Sequence, residues 1–255
     1  MLFRSRFNEA IDQVMTESLA RFTNKVNHSG SLFVGTLDHD FRGPLVAVYD
    51  STQALVLRGK LDDEQVNLVS RIQTSTSHMS RLVSNLIDAV RIRLDKGIPV
   101  TPAPMDIGTA VREAAREVQA AHPGRNILVE TSGDLEGEWD RARIGQVLSS
   151  LIGNAVLHGL KTSAIAVAAK GCGHEVILSV HNEGAITPDA VAAVFDPLPR
   201  GEYENRIETG KARLDLGLFI TKAIVTAHGG KIAVTSSEEE GTAFTAHLPR
   251  KKGKS

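Results

Sequence analysis

The chain has 255 residues, 42% of them hydrophobic and 23% charged, which is enough for one large domain or two of moderate size. A formal net charge of -1 gives no overall field toward nucleic acid or an anionic membrane, and the single cysteine, Cys172, excludes an internal disulfide and fits a reducing compartment. No apolar run is long enough to span a bilayer, and the opening stretch "MLFRSRFNEAIDQ" lacks the apolar core of a signal peptide. The expectation is a cytoplasmic protein with no nucleic-acid partner and no membrane insertion.

From Phe7 to about Leu57 apolar residues recur at helical spacing, through Phe22, Val26, Phe33, Leu37, Phe41, Leu45 and Val48. Gly59 is a helix stop, and Asp62 or Asp63 is the next N-cap. A second helix follows with Ile72, Met79 and Leu86 seven apart, and Val69, Leu82, Val83, Val90 and Ile92 fill the same face. Two helices joined tightly form a hairpin, which alone has too little to bury. Its near-heptad stripe predicts a dimeric four-helix bundle, so a homodimer is expected. The proline-rich stretch 96–108 reads as a linker.

Beyond it the pattern becomes α/β. Helices are predicted over Thr109–Ala121, Arg141–His158, Pro188–Val194 and Gly217–Ala227. Strands are predicted over Ile127–Glu130, Glu136–Trp139, Ala164–Ala169, Glu175–His181, Lys231–Ser236 and Thr242–Leu248, with a polar loop over Arg200–Arg213. The residues from Lys251 onward are a short basic tail.

Three places carry possible chemistry. His39 has Asp40 beside it and Arg42 three residues on. A neutral imidazole nitrogen attacks phosphorus competently, and an adjacent carboxylate can fix its tautomer and take its proton. Pro44 lacks the N–H that would bond the Asp40 carbonyl; proline inside a helix costs on the order of 3 kcal/mol, and Gly43 adds up to about 1 kcal/mol. A bend that costly beside a His-Asp pair marks a site rather than a surface accident. Second, Asn154 and His158 sit one turn apart on an otherwise apolar helix, and an amide oxygen can join phosphate oxygens and waters around Mg²⁺. Third, "VHNEGAI" at a strand end and "LDLGLFI" opening a helix place glycines where backbone can approach a flat base or phosphates.

His39-Asp40-Phe41-Arg42-Gly43-Pro44-Leu45 resembles the phosphoacceptor box of the sensor histidine kinases. "QVLSSLIGNAVLHG", "NEGAI", "VFDPLPRGE" and "LDLGLFITKAIVTAHGGKI" are similar to the N, G1, F and G2 boxes of that family's ATP-binding half, in the family's order. The resemblance covers about Phe33 to Pro249 and implies the helical hairpin followed by a two-layer α/β sandwich of the Bergerat type. It implies a signalling helix over 1–32, a dimerisation and phosphotransfer hairpin over 33–95, a linker over 96–108 and an ATP-binding domain over 109–250. His39 would be phosphorylated with Asp40 as its orienting base. Asn154 would ligand Mg²⁺, with His158 beside it. Asn182 stands where an aspartate usually accepts from the adenine amino group. Gly184 would admit the base and Thr242 would support its pocket through water. Arg200 would reach the γ-phosphate, and Gly217 and Leu218 would open the helix under the phosphates. The implied cofactors are ATP and Mg²⁺. The implied partners are a response-regulator receiver domain and an upstream sensor protein.

The chain departs from the pattern at several positions. Ser150 replaces the first N-box asparagine, and Leu157 replaces a cation that usually contacts phosphate. The second G1 glycine is missing from a loop one residue short, and Asp215 occupies a G2 glycine position. A carboxylate facing triphosphate predicts weak ATP affinity. Gly43 lacks the side chain that helps orient a hydrolytic water, which predicts little phosphatase activity. The alternative reading is a degenerate kinase that works as a partner-binding or phosphotransfer scaffold.

Overall fold

The computed structural model describes residues 30–94, 96–188, 191, 194–195 and 216–250, with side chains from Phe41 onward. The chain divides into two compact units between Lys96 and Gly97. In the first, α1 (Gly30–Arg58) and α2 (Asp63–Arg93) pack as a pair. The helical backbone of α1 continues through Pro44, so the proline removes one rung of the ladder without ending the helix. Gly59 closes the helix through its N–H to the Leu55 carbonyl at 2.8 Å. The chain restarts at Asp62, whose carboxylate accepts the Gln65 N–H at 2.8 Å while the Gln65 side chain accepts the Asp62 N–H at 3.1 Å. This reciprocal capping box is worth about 1 kcal/mol and sets where α2 begins.

The buried row of α2 is Val69, Thr76, Val83 and Val90, seven residues apart, joined by Ile87. Three of these, Val69, Val83 and Val90, belong to the expected face; of its heptad row Ile72 is 45% exposed, and Met79 and Leu86 are half-buried. Thr76 escaped apolar periodicity because it is a hydroxyl residue, yet its Oγ1 bonds the Ile72 carbonyl at 2.9 Å and so enters the seam satisfied. Phe41, Val46, Val48, Leu55 and Leu57 of α1 also stay exposed.

Among its described residues the second unit places three helices against a five-stranded sheet. Its elements are β1 (Ala103–Asp106), α3 (Ile107–Ala121), β2 (Ile127–Ser132), β3 (Glu136–Trp139), α4 (Arg141–His158), β4 (Ile165–Cys172), β5 (Glu175–Asn182), α5 (Leu216–Ala227), β6 (Lys231–Ser237) and β7 (Gly241–Pro249). The sheet order is β2-β4-β5-β7-β6, with β2 parallel to β4 and every other pairing antiparallel. The stretch expected as a linker over 96–108 contains β1, which pairs antiparallel with β3 in a separate two-stranded sheet. Prolines at 99, 102 and 104 argued against a strand, but β1 has a single partner strand, and proline is tolerated on such an edge.

The core forms where the helix stripe meets the strand alternation. Ile144, Val147, Leu148, Leu151 and Ile152 of α4 are fully buried at helical spacing. Val176, Leu178 and Val180 of β5 face the helices together with Phe244, Ala246 and Leu248 of β7. Buried Trp139 donates its indole N–H to the Pro249 carbonyl at 2.9 Å, which ties β3 to the last strand. Buried His228 accepts the Asp140 N–H on Nε2 at 3.0 Å and donates from Nδ1 to the Ile224 carbonyl at 2.9 Å, joining the start of α4 to the end of α5. Among the described residues no helix is long and apolar enough to cross a membrane. Most of the signalling helix expected over 1–32, the loop Arg200–Arg213, Asp215 and the basic tail lie outside the described residues.

Candidate functional site

Along β5 and β7 the helix-facing positions are apolar until the strand ends, where they become Asn182 and Thr242. These two are register partners, and Thr242 also pairs with Ser236 on β6. Asn182 is 3% exposed and Thr242 3% exposed, so polar groups there need partners. The Asn182 amide donates from Nδ2 to the Glu183 carbonyl at 3.0 Å. Only the NH₂ can face a carbonyl, so this bond fixes the amide and leaves Oδ1 as an acceptor that no described residue donates to.

Gly184 follows with φ of 111°, a left-handed conformation that a side chain rarely adopts. The nearest atom to a Cβ built there is the His158 carbonyl oxygen at 3.4 Å, so the loop passes close to the end of α4. Thr242 Oγ1 donates to the Gly184 carbonyl at 2.7 Å, which ties the loop to β7. Asn154 is half-buried on the last turns of α4, while Leu157 and His158 are exposed there. Gly217 and Leu218 lie in the first turn of α5, where helix N–H groups lack intrahelical acceptors. The Leu218 side chain is 2% exposed, so only its backbone can meet a ligand. Arg200 lies outside the described residues.

The arrangement fits the adenine end of a nucleotide. Asn182 offers an amide oxygen that can accept from an amino group, and a glycine with no side chain stands beside it. His39 and Asp40 belong to the other unit, on helical backbone within α1, and Arg42 is exposed on the same helix. Among the described residues no group of three or more His, Cys, Asp or Glu could hold a metal ion, and an Mg²⁺ held by one amide and phosphate oxygens needs none.

Comparison with known proteins identifies both units. Residues 139–252 match the histidine kinase-, DNA gyrase B- and HSP90-like ATPases, and residues 31–94 match the His kinase A (phospho-acceptor) domain. The chain carries the catalytic core of a sensor histidine kinase. It is 32% identical over 226 residues to a bacteriophytochrome of Pseudomonas aeruginosa, covering 88% of this chain and 30% of that protein. Identity to the probable sensor histidine kinase TcrY of Mycobacterium tuberculosis is 28% over 249 residues, covering 96% of this chain and 50% of the relative. Full-length ShkA in complex with AMPPNP superposes with a TM-score of 0.61 at 27% identity, over 87% of this chain and 46% of that one. The chain thus spans half or less of the length of these relatives.

Two residues of this histidine kinase core carried no motif signal. Ser236 bonds Thr242 Oγ1 at 2.8 Å and accepts the Ile186 N–H at 2.9 Å. Arg125, 9% exposed, donates to the carbonyls of Leu160 at 2.6 Å and Ala155 at 3.1 Å, and approaches that of Gly159 at 3.4 Å. Its cation therefore sits at the carboxyl end of α4, where the helix dipole is negative. A serine in a strand and an arginine after Pro-Gly look ordinary in sequence, and only strand register and chain crossing bring them to the site.

Proposed function

We propose that the chain is an ATP-dependent protein-histidine kinase of a two-component system, with His39 as the phosphoryl acceptor. An imidazole nitrogen of His39 attacks the γ-phosphorus of ATP. The N–P bond forms as the bond to the ADP leaving oxygen breaks, and Asp40 takes the imidazole proton. Arg42 adds a cation to the same helical segment. Asn182 Oδ1 accepts from the adenine amino group, Gly184 admits the base, and the first turn of α5 offers backbone N–H groups to phosphate. Asn154 would hold Mg²⁺, which offsets phosphate charge when bound. The phosphoryl group then passes to an aspartate of a response-regulator receiver domain.

The exposed apolar side chains of α1, together with Ile72 of α2, support a homodimer through the hairpin. Residues 33–95 act as the dimerisation and acceptor unit, 109–250 hold ATP, and an upstream sensor protein or segment supplies the stimulus through the N-terminal residues.

The observation that carries this reading is the fixed acceptor of Asn182 beside Gly184, in a chain that also bears His39 in a phospho-acceptor domain. Incubation with γ-labelled ATP and Mg²⁺ tests it. Acid-labile, alkali-stable label that disappears in His39→Ala is the expected result. A folded chain that takes up no label favours the second reading, a scaffold or phosphotransfer protein. For that reading the specific observation is Leu157, 57% exposed where the family has a phosphate-contacting cation.

A further inference from the structure

The loop Glu183–Ile186 leaves the sheet at the candidate base site and is tied at three backbone points. The Glu183 carbonyl accepts from the Leu160 N–H at 3.0 Å and from the Asn182 amide at 3.0 Å. The Gly184 carbonyl accepts from Thr242. The Ile186 N–H donates to Ser236 Oγ. The direction of the remaining bond follows from proton counting. Thr242 has one hydroxyl proton and gives it to Gly184, so the 2.8 Å contact between the two hydroxyls must be Ser236 donating to Thr242. Protons therefore run one way, from the Ile186 amide to Ser236, from Ser236 to Thr242, and from Thr242 to the Gly184 carbonyl. The ring closes on both sides of Ala185, which is exposed.

We infer that Ser236 is a positioning residue for the nucleotide base, which with Thr242 clasps the loop so that Gly184 and Asn182 keep a base-accepting geometry before ligand arrives. The inference rests on the nucleotide reading above. Ser236 lies beyond the apolar part of the sheet and is itself half-buried, so its hydroxyl contributes to the loop rather than to the core. Its strand position also explains why an external clasp is used. The loop has one glycine, Gly184, and a short loop without a second has to be held from the neighbouring strands. Without the Ser236 hydroxyl, the Ile186 N–H loses its acceptor and Thr242 loses the donor that orients it. The loop then samples conformations that do not bind the base, and affinity falls by the fraction of time lost.

Calorimetric titration of the whole chain with Mg·ADP, well below its unfolding midpoint, tests the role. Ser236→Ala is expected to raise Kd about tenfold, the scale of losing one well-made hydrogen bond. Ser236→Thr keeps a hydroxyl on a strand-compatible side chain and is expected to restore the affinity of the unmodified chain. In autophosphorylation the Ser236→Ala loss should fall on KM for ATP with kcat preserved, a split that mere loss of stability does not produce. A folded Ser236→Ala that binds Mg·ADP as tightly as the unmodified chain overturns the role of Ser236 alone. An unmodified chain that binds no Mg·ADP overturns the nucleotide reading, and the role with it. If Ser236→Ala does not fold, amide exchange in the unmodified chain decides. Slow exchange of the Ile186 N–H supports the clasp, and exchange at the rate of an unstructured peptide overturns it.

Discussion

In the proposed base site Asn182 offers a neutral acceptor where the family resemblance implies a charged one, and its usefulness depends on which way the amide faces. The Glu183 carbonyl makes that choice, because two oxygens would repel where Nδ2 now donates. The cost of neutrality is strength: a hydrogen bond to a charged group is roughly twice as strong as a neutral one. At the phosphate end the chain's departures act through charge. Leu157 contributes no cation, and Asp215 adds an anion one residue before α5, where phosphate is expected. At an effective dielectric near 20, a like-charge contact at about 4 Å costs about 4 kcal/mol before screening. Asp215→Gly is therefore expected to tighten Mg·ATP binding by roughly tenfold or more, read as Kd. An unchanged Kd would mean that the carboxylate points away from the phosphates.

α4 is held at both ends by residues from other elements. At its start Asp140 caps the helix, accepting the Arg143 N–H at 3.1 Å and the Thr101 N–H at 2.9 Å. Burial opposes ionisation of this carboxyl, but the backbone N–H groups of Thr101, Arg143 and Ala142, with the Arg143 charge, outweigh it and hold the group below its ordinary range. A depressed folded value favours the folded state above the ordinary carboxyl range near about pH 4, and that contribution disappears as pH falls through the folded value. Thermal unfolding from neutral pH downward should show Asp140→Asn less stable than the unmodified chain, with the gap closing in acid. A constant gap would exclude the titration. At the other end, Arg125→Met is expected to lower stability by about 2 kcal/mol in urea unfolding, since it removes a charged donor from the carbonyls of Leu160, Ala155 and Gly159 at once.

Helix and strand identities in this unit were legible because their periods are clean: α4 repeats its apolar residues at helical spacing, and β5 alternates. The β1 strand was not, because Pro99, Pro102 and Pro104 disguise an edge pairing that needs few N–H donors. On α2 the expected stripe holds Val69, Val83 and Val90, which are buried, and Thr76 completes their row because its hydroxyl is satisfied within the helix.

On the scale of the whole molecule, the hairpin exposes more apolar surface than a lone pair of helices tolerates. Phe41 is 50% exposed, Leu55 52% and Leu57 81%. If a second copy covers this surface, Ile72→Glu should shift the chain toward monomer in sedimentation velocity while Mg·ADP affinity stays the same. A dimer that survives the substitution would place the interface elsewhere on the hairpin. The sequence alone determined which residues are proposed to carry chemistry: the His39 box, Asn154, the Asn182–Gly184 turn and the α5 glycine are local, and local patterns of residue type and spacing suffice to point to them. Tertiary structure alone decided how the base site is held. Asn182, Thr242 and Ser236 come from three strands, and Arg125 from a loop thirty-five residues before Leu160. No periodicity in the chain encodes strand register or the meeting of a loop with a helix end. Those follow from burying one face of the sheet under three helices, which fixes every neighbour across it at once.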